Sequence, residues 1–269
     1  MRYYQRFWQF GKKVRIMLGL LGVLLLLGCE NSLDSIKDRR ILHIGISKAT
    51  PPFGYVDSRG EFAGLEVLLG KKLAKDLLGD ESRVSFQAIT QELAYKLLES
   101  GELDIVLASS FAIAENPHAL ISSTPYMYAN ISVLGKSSQP KGIQELAASA
   151  VLVRQDSIAA AYFASNYPTI TLQTCLDLRE CLASFVREEN TYFADSDMII
   201  TALARQNPSF VISVPALGDP YPIAPLLKSS STSLHNWLDK EITILHKEGF
   251  LKQAFSSALQ SYDDEQSLR

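Results

Sequence analysis

Histidine and cysteine are scarce in this chain, four of the one and three of the other in 269 residues. His43, His118, His235 and His246 stand far apart, at no spacing that would let them share a metal or activate a nucleophile. No glycine-rich phosphate loop is present either. Metal chemistry, nucleophilic catalysis and nucleotide binding are therefore not expected, no cofactor is expected, and the chain is not read as an enzyme. Long apolar runs are missing beyond Met17 to Gly28, which at about a dozen residues has the length of a secretory core and is too short to span a bilayer. Basic clusters are missing beyond Arg2, Arg6, Lys12, Lys13 and Arg15, which precede that run with no acid among them. Without residues 1–28 the chain loses five bases and no acids, so its formal net charge of −3 becomes −8. An acidic domain without Lys and Arg clusters excludes nucleic acid as a partner.

What is present begins with Leu26-Leu27-Gly28-Cys29. This resembles a bacterial lipobox, which implies removal of residues 1–28 and lipid on Cys29. A short anchor that is never cleaved is the other reading. The lipobox implies a domain tied to the bacterial cell envelope, in the periplasm or extracytoplasmic space, with residues 29–37 as a polar tether. Disulfides persist in such a compartment. Asp177 and Glu180 form a D-x-x-E helix start, which puts Cys175 just before a helix and Cys181 near its first turn. The pair is either a local disulfide or two half-buried thiols, and a metal there lacks further ligands.

Strands and helices alternate along the rest of the chain. Ile41–Ile46 reads as a strand, and a double proline, Pro51-Pro52, then holds Phe53 and Tyr55 in a stiff loop. A helix follows with Leu65, Leu68, Leu69, Leu73 and Leu77 as its apolar stripe, ending at Gly79. Val84–Ile89 and Leu103–Ala108 read as further strands around a helix from Gln91 to Glu99. Leu103–Ala108 ends in Ser109-Ser110, a candidate ligand lip, because ligands of open α/β sheets sit beyond the carboxyl ends of strands. After a loose segment at 136–141 the pattern repeats, with strands at 150–153, 169–173 and 191–194, and helices at 157–166, 177–185 and 196–205. Two helices, 234–248 and 250–259, close the domain, and 261–269 reads as a disordered tail. The order implies α/β lobes with mostly parallel sheets.

Three stretches together resemble the extracellular solute-binding proteins of polar amino acid ABC transporters, family 3. They are Gly45 with Pro51-Pro52-Phe53-Gly54-Tyr55, Gly60 and Gly64-Leu65-Glu66-Val67; LLESGELDIVLA at 97–108 with Pro125-Tyr126; and Val151 to Asp195 with its helix start. The resemblance covers about 41–259. It implies a type II, two-lobed periplasmic-binding-protein-like fold, with a small polar solute trapped as the lobes close. Lobe 1 is expected at 38–130 plus 218–260 and lobe 2 at 131–217. The implied partners are that solute, an ABC permease and the membrane through the lipid anchor, with the chain acting as a monomer. The candidate ligand-binding residues are Ser47, Phe53, Ser109, Phe111, Asn116, Arg154, Ser157 and Asp195.

The resemblance is incomplete at the site. Family members that take amino acids hold the carboxylate with an arginine, whose position falls here on Asn116, and the ammonium with an aspartate matched by Asp195. Ile113 stands at the accompanying threonine, Thr50 at a common aromatic and Asp156 at a glycine. A neutral amide cannot replace a guanidinium fork on a carboxylate at equal strength. The amine end is thus expected to persist and the carboxylate end to be lost, which implies an amine-bearing solute. Arg154 either takes over the clamp or only pairs with Asp156. A reassigned ligand, a clamp through Arg154 and loss of binding stay open. So do a degenerate lobe pair acting as envelope sensor or scaffold, and an enzyme of the dehydratase kind that uses cleft acids.

Overall fold

The computed structural model of the protein describes residues 32–107, 120–136, 142–155 and 157–267. Helix α1 (Ser32–Arg39) leads into β1 (Leu42–Ile46), followed by three short strands, β2 (Ala49–Thr50), β3 (Gly54–Val56) and β4 (Phe62–Ala63). Next come α2 (Leu65–Leu78), β5 (Val84–Ala88), α3 (Gln91–Ser100), β6 (Ile105–Leu107) and β7 (Leu120–Ser122). The long β8 (Met127–Gly135) precedes α4 (Ile143–Leu146), β9 (Ala150–Arg154), α5 (Ile158–Asn166) and β10 (Thr171–Cys175). Then follow α6 (Leu178–Arg187), β11 (Thr191–Ser196), α7 (Asp197–Gln206), β12 (Val211–Ile223), β13 (Leu226–Lys228), α8 (Thr232–Lys247) and α9 (Phe250–Ser267).

The architecture is α/β, with two five-stranded sheets of order β5-β1-β6-β13-β7 and β10-β9-β11-β8-β12. In each, three strands run parallel and an antiparallel pair completes the edge. Ile44 and Ile46 of β1 and Ile105 and Leu107 of β6 are fully buried because helices cover the sheet. Strands β8 and β12 run antiparallel from Met127↔Ile223 to Gly135↔Val211, with register shifts between. This two-stranded ribbon connects the two sheets, and the expected lobe divisions, 130/131 and 217/218, lie inside it.

The helix α2 buries Leu65, Leu69 and Leu73, which repeat every four residues, whereas Leu68 is 36% exposed. Leu68, expected in the stripe, lies outside it, since it falls one helical step off the buried face. Gly64 is needed where it stands: its φ of +107° is open to glycine, and a Cβ would lie 2.1 Å from the Phe53 carbonyl oxygen.

The structure corrects the two ends. The tether was expected not to pack, yet from Ser32 onward the chain is helical and Ile36 is fully buried in the main core. Ser32 Oγ also hydrogen-bonds Ser233 Oγ at 3.0 Å. The tail was expected to be disordered, yet α9 continues through 261–267. Its Tyr262 is buried edge-on against Tyr55 at 5.4 Å, and the Glu265 carboxylate accepts from the Ser58 N–H at 2.7 Å. Both segments carry too few apolar residues to show a stripe, and each is held by one well-buried side chain together with hydrogen bonds to distant parts of the chain. Tyr262→Ala should therefore cost about 3 kcal/mol, as for other buried aromatics. Urea denaturation that shows no loss would return 261–267 to the status of a loose tail.

Cys175 and Cys181 are joined by a disulfide, with Cα atoms 5.3 Å apart and both residues buried. Asp177 Oδ1 caps α6 by accepting from Glu180 N at 3.0 Å, which brings the helix start back towards the end of β10. The loop closed is six residues in sequence separation, so the bridge restricts the unfolded chain little. The double variant Cys175→Ser, Cys181→Ser should lose about 2 kcal/mol. Failure to fold would show that packing around the sulfurs carries more.

Candidate functional site

The loop after β1 is shaped by hydrogen bonds to the start of α2. The carbonyls of Pro52 and Phe53 accept from Leu65 N and Glu66 N, both at 2.9 Å, which occupies N–H groups that a helix start otherwise leaves open. Ser47 Oγ and Thr50 Oγ1 share a hydrogen bond of 2.7 Å, and Thr50 is buried. Phe53 was expected to face a ligand. It is instead fully buried in the core, 6.1 Å from the ring of Phe255. The apolar ring gains more from that burial than from a half-wet cleft, which removes Phe53 from the candidate site.

From the other sheet, β9 and β11 lie side by side and parallel, with Ala194 opposite Val153. The next residues on both strands, Arg154 and Asp195, therefore emerge together at the carboxyl ends. They form a bidentate pair: Arg154 Nε donates to Asp195 Oδ2 at 2.6 Å and Nη2 to Oδ1 at 2.9 Å. Arg154 is 6% exposed and Asp195 3%. Ser196 N donates to Asp195 Oδ1 at 2.7 Å, giving the carboxylate a third donor. Arg154 Nη1 donates to Thr50 Oγ1 at 3.2 Å, a hydrogen bond from the second sheet to the loop of the first. Burial alone lowers the guanidinium pKa, but the charge and hydrogen bonds of Asp195 outweigh it and hold it above its ordinary value. Burial, then the negative charge of Asp195, pushes the phenol of Tyr221 on β12 well up.

A cleft of about 480 Å³ opens between these elements, lined among others by Ser47, Lys48, Thr50, Gln91, Arg154 and Gln155. It thus brings together Ser47, Arg154 and, through its partner, Asp195. Asp195 was expected to receive an amine from a ligand, and its carboxylate is taken by Arg154 instead. Ser157 sits beside them, but its hydroxyl caps α5 by accepting from Ala160 N at 3.1 Å. Ser109, Phe111, Asn116, Asp156 and Cys29 lie outside the described residues. Among the described residues no cluster of three His, Cys, Asp or Glu could hold a metal.

Lys48, Thr50 and Tyr221 were missed as site residues. Thr50 had a signal, since it stands where an aromatic is common and a small hydroxyl there leaves room for Arg154. Tyr221 had none, because only the pairing of β12 with β8 brings it near Asp195.

Comparisons with known proteins identify the family and the fold that carry these residues. The family profile Bacterial extracellular solute-binding proteins, family 3, matches residues 42–260. The ABC transporter glutamine-binding protein GlnH of Bacillus subtilis is 23% identical over 251 residues, 87% of this chain and 91% of the relative. A crystal structure of a solute receptor for L-cysteine from Neisseria gonorrhoeae superposes with a TM-score of 0.77 at 29% identity, covering 84% of this chain and 93% of that one. A cysteine-binding protein from Campylobacter jejuni gives the same score and identity, covering 86% and 94%. No described helix is long and apolar enough to cross a membrane.

The pair itself is testable. Asp195→Asn leaves Arg154 buried without a counter-ion, and the expected loss is about 3 to 5 kcal/mol of unfolding free energy. The apolar double variant Arg154→Met, Asp195→Leu should lose less than that. A single variant within about 1 kcal/mol of the parent in urea would show that the pair is solvated, as surface pairs are.

Proposed function

Because the chain belongs to the bacterial extracellular solute-binding proteins of family 3, we propose that it is the solute-capturing component of an ABC importer. In this reading lipid on Cys29 holds it at the cell envelope, and a small polar solute of the amino acid type is taken between lobes 1 and 2. The observation that carries the reading is the cleft of about 480 Å³, in which polar groups from two distant parts of the chain meet: Ser47 and Thr50 from the segment after β1, Arg154 and Gln155 from the end of β9. That volume lies within the range of small-molecule sites. Closure of the lobes about the β8–β12 ribbon would remove the solute from water, and opening would present it to the permease. Relatives named for glutamine and for cysteine support the amino acid type. They do not choose a member, since they are named for different amino acids.

The purified protein, screened by thermal unfolding against amino acids, polyamines and short peptides, should be stabilised by one class. A solute at about a hundred times its Kd adds about 2.7 kcal/mol. No stabilisation across the screen would sink the receptor reading in favour of an envelope sensor or scaffold. Cys29→Ser should release the protein from the membrane fraction, and its recovery there with lipid attached would overturn the anchor.

A further inference from the structure

The last turns of α9 touch both halves of the molecule. Residues 261–267 lie beyond the stretch that the family profile matches, 42–260, yet they continue the helix. On one side Tyr262 stands edge-on to Tyr55 at 5.4 Å and Glu265 accepts from the Ser58 N–H at 2.7 Å, so both grip β3 and the turn after it. Burial, then the charge of Glu265, pushes the Tyr55 phenol up to about 12, which keeps it neutral beside that carboxylate. On the other side Asp263 pairs with Arg205 Nη2 at 2.9 Å and accepts from Gln206 Nε2 at 3.4 Å. Arg205 and Gln206 end α7, which packs on the second sheet, whereas α9 packs on α2, a helix of the first. The two grips differ in strength. Tyr262 is 9% exposed. The side chains of Arg205 and Asp263 are 56% and 23% exposed, and ion pairs so placed contribute little. Between the halves at this point lies a cavity of about 380 Å³, with Tyr55, Tyr262 and Glu265 on one wall and Leu178, Arg179 and Leu182 of α6 on the other. A cavity there leaves few packing contacts to be broken if the walls part.

We propose that residues 261–267 form a strap that biases the cleft towards its closed state before any solute arrives, anchored on the first-sheet side by Tyr262 and Glu265 and released from α7 at Asp263 when the cleft opens. The weaker end yields first, so opening breaks the Asp263 contacts and leaves the aromatic grip in place. The strap is a third connection between the halves beside strands β8 and β12, and the one of the three that can be undone. A receptor whose closed form is more populated binds its solute more tightly in proportion to that population, so the strap sets affinity from outside the polar lining of the cleft. The inference rests on the receptor reading for the opening and closing of the lobes, and on no particular solute.

The test reads the separation of the two halves with no solute present. Spin labels are attached through ketone-bearing residues placed in the full chain at Lys96 on α3 and Arg187 on α6, whose side chains are 67% and 71% exposed. Ketone chemistry leaves the Cys175–Cys181 disulfide untouched. Pulsed EPR then gives the ratio of molecules at the longer distance to those at the shorter. Arg205→Glu, which sets a carboxylate against Asp263, should raise that ratio about fivefold, the upper end for an exposed pair. Adding Asp263→Arg to it should restore the parent ratio, because the swapped charges attract again. Should Arg205→Glu fail to fold, Asp263→Asn carries the same test with a rise of about twofold. An unchanged ratio in the folded variant overturns the proposal, and so does a rise that Asp263→Arg leaves in place, since that would report local damage and not the loss of the tie. The solute screen by thermal unfolding decides the receptor reading separately. A chain that no solute stabilises would still show these distances, and a strap without effect on them would leave solute capture standing.

Discussion

A guanidinium and a carboxylate that are both more than nine-tenths buried persist in a protein interior only if each answers the charge of the other and the leftover donors and acceptors are met. At Arg154 and Asp195 that condition places demands on the whole cleft. The parallel pairing of β9 and β11 must hold the two strand ends in register. The turn into α7 must bring Ser196 N within 2.7 Å of the carboxylate. The loop after β1 must carry a hydroxyl, not a ring, at Thr50, so that Nη1 has an acceptor. Each demand falls on a different element, so the pair ties the strand ends of β9 and β11 to the segment after β1.

The loop that supplies Thr50 is itself held from below. Carbonyls at Pro52 and Phe53 take the first N–H groups of α2, Gly64 lets the chain pass within contact of the Phe53 carbonyl, and Phe53 is anchored in the core. Tyr126, just before the connecting ribbon, donates to Glu66 on α2 at 2.9 Å. In the proposed receptor reading, a stiff support of this kind lets the cleft open by separating whole lobes without deforming the loop, and the motion is left to the β8–β12 ribbon, whose register shifts interrupt the regular ladder.

The disulfide belongs to the same region. Cys175 ends the strand next to β9 and lies opposite Arg154, while the Cys175 carbonyl accepts from Gln155 N at 2.8 Å. Closing a short loop contributes little through the unfolded chain. It does fix the turn from β10 into α6, and with it the position of Asp177 and Leu176 on the lining of the cleft.

Much of this protein is written in local pattern. The apolar runs of β1, β6, β9 and β11, the caps at Thr90, Ser157, Asp177 and Ser196, and the glycines that end α2 and α3 are all decided by residues within a few positions of one another. The alternation of strand and helix, and hence the α/β lobes, follows from them, as does the lip at which Ser47, Arg154 and Asp195 stand. What neighbours in sequence could not decide is how those side chains are used. Asp195 looked free for a ligand because Arg154 is 41 residues away in the chain, and only strand register shows that the two are adjacent. Phe53 looked like presented surface because its partner Phe255 comes some two hundred residues later. Ile36 and Tyr262 looked like tether and tail because one large side chain in a polar segment makes no periodic signal, yet each is buried against distant parts of the chain. Periodicity reports the face that an element buries; the partner of a charge or a ring is set by contacts between distant segments, and these exist only once the chain has folded.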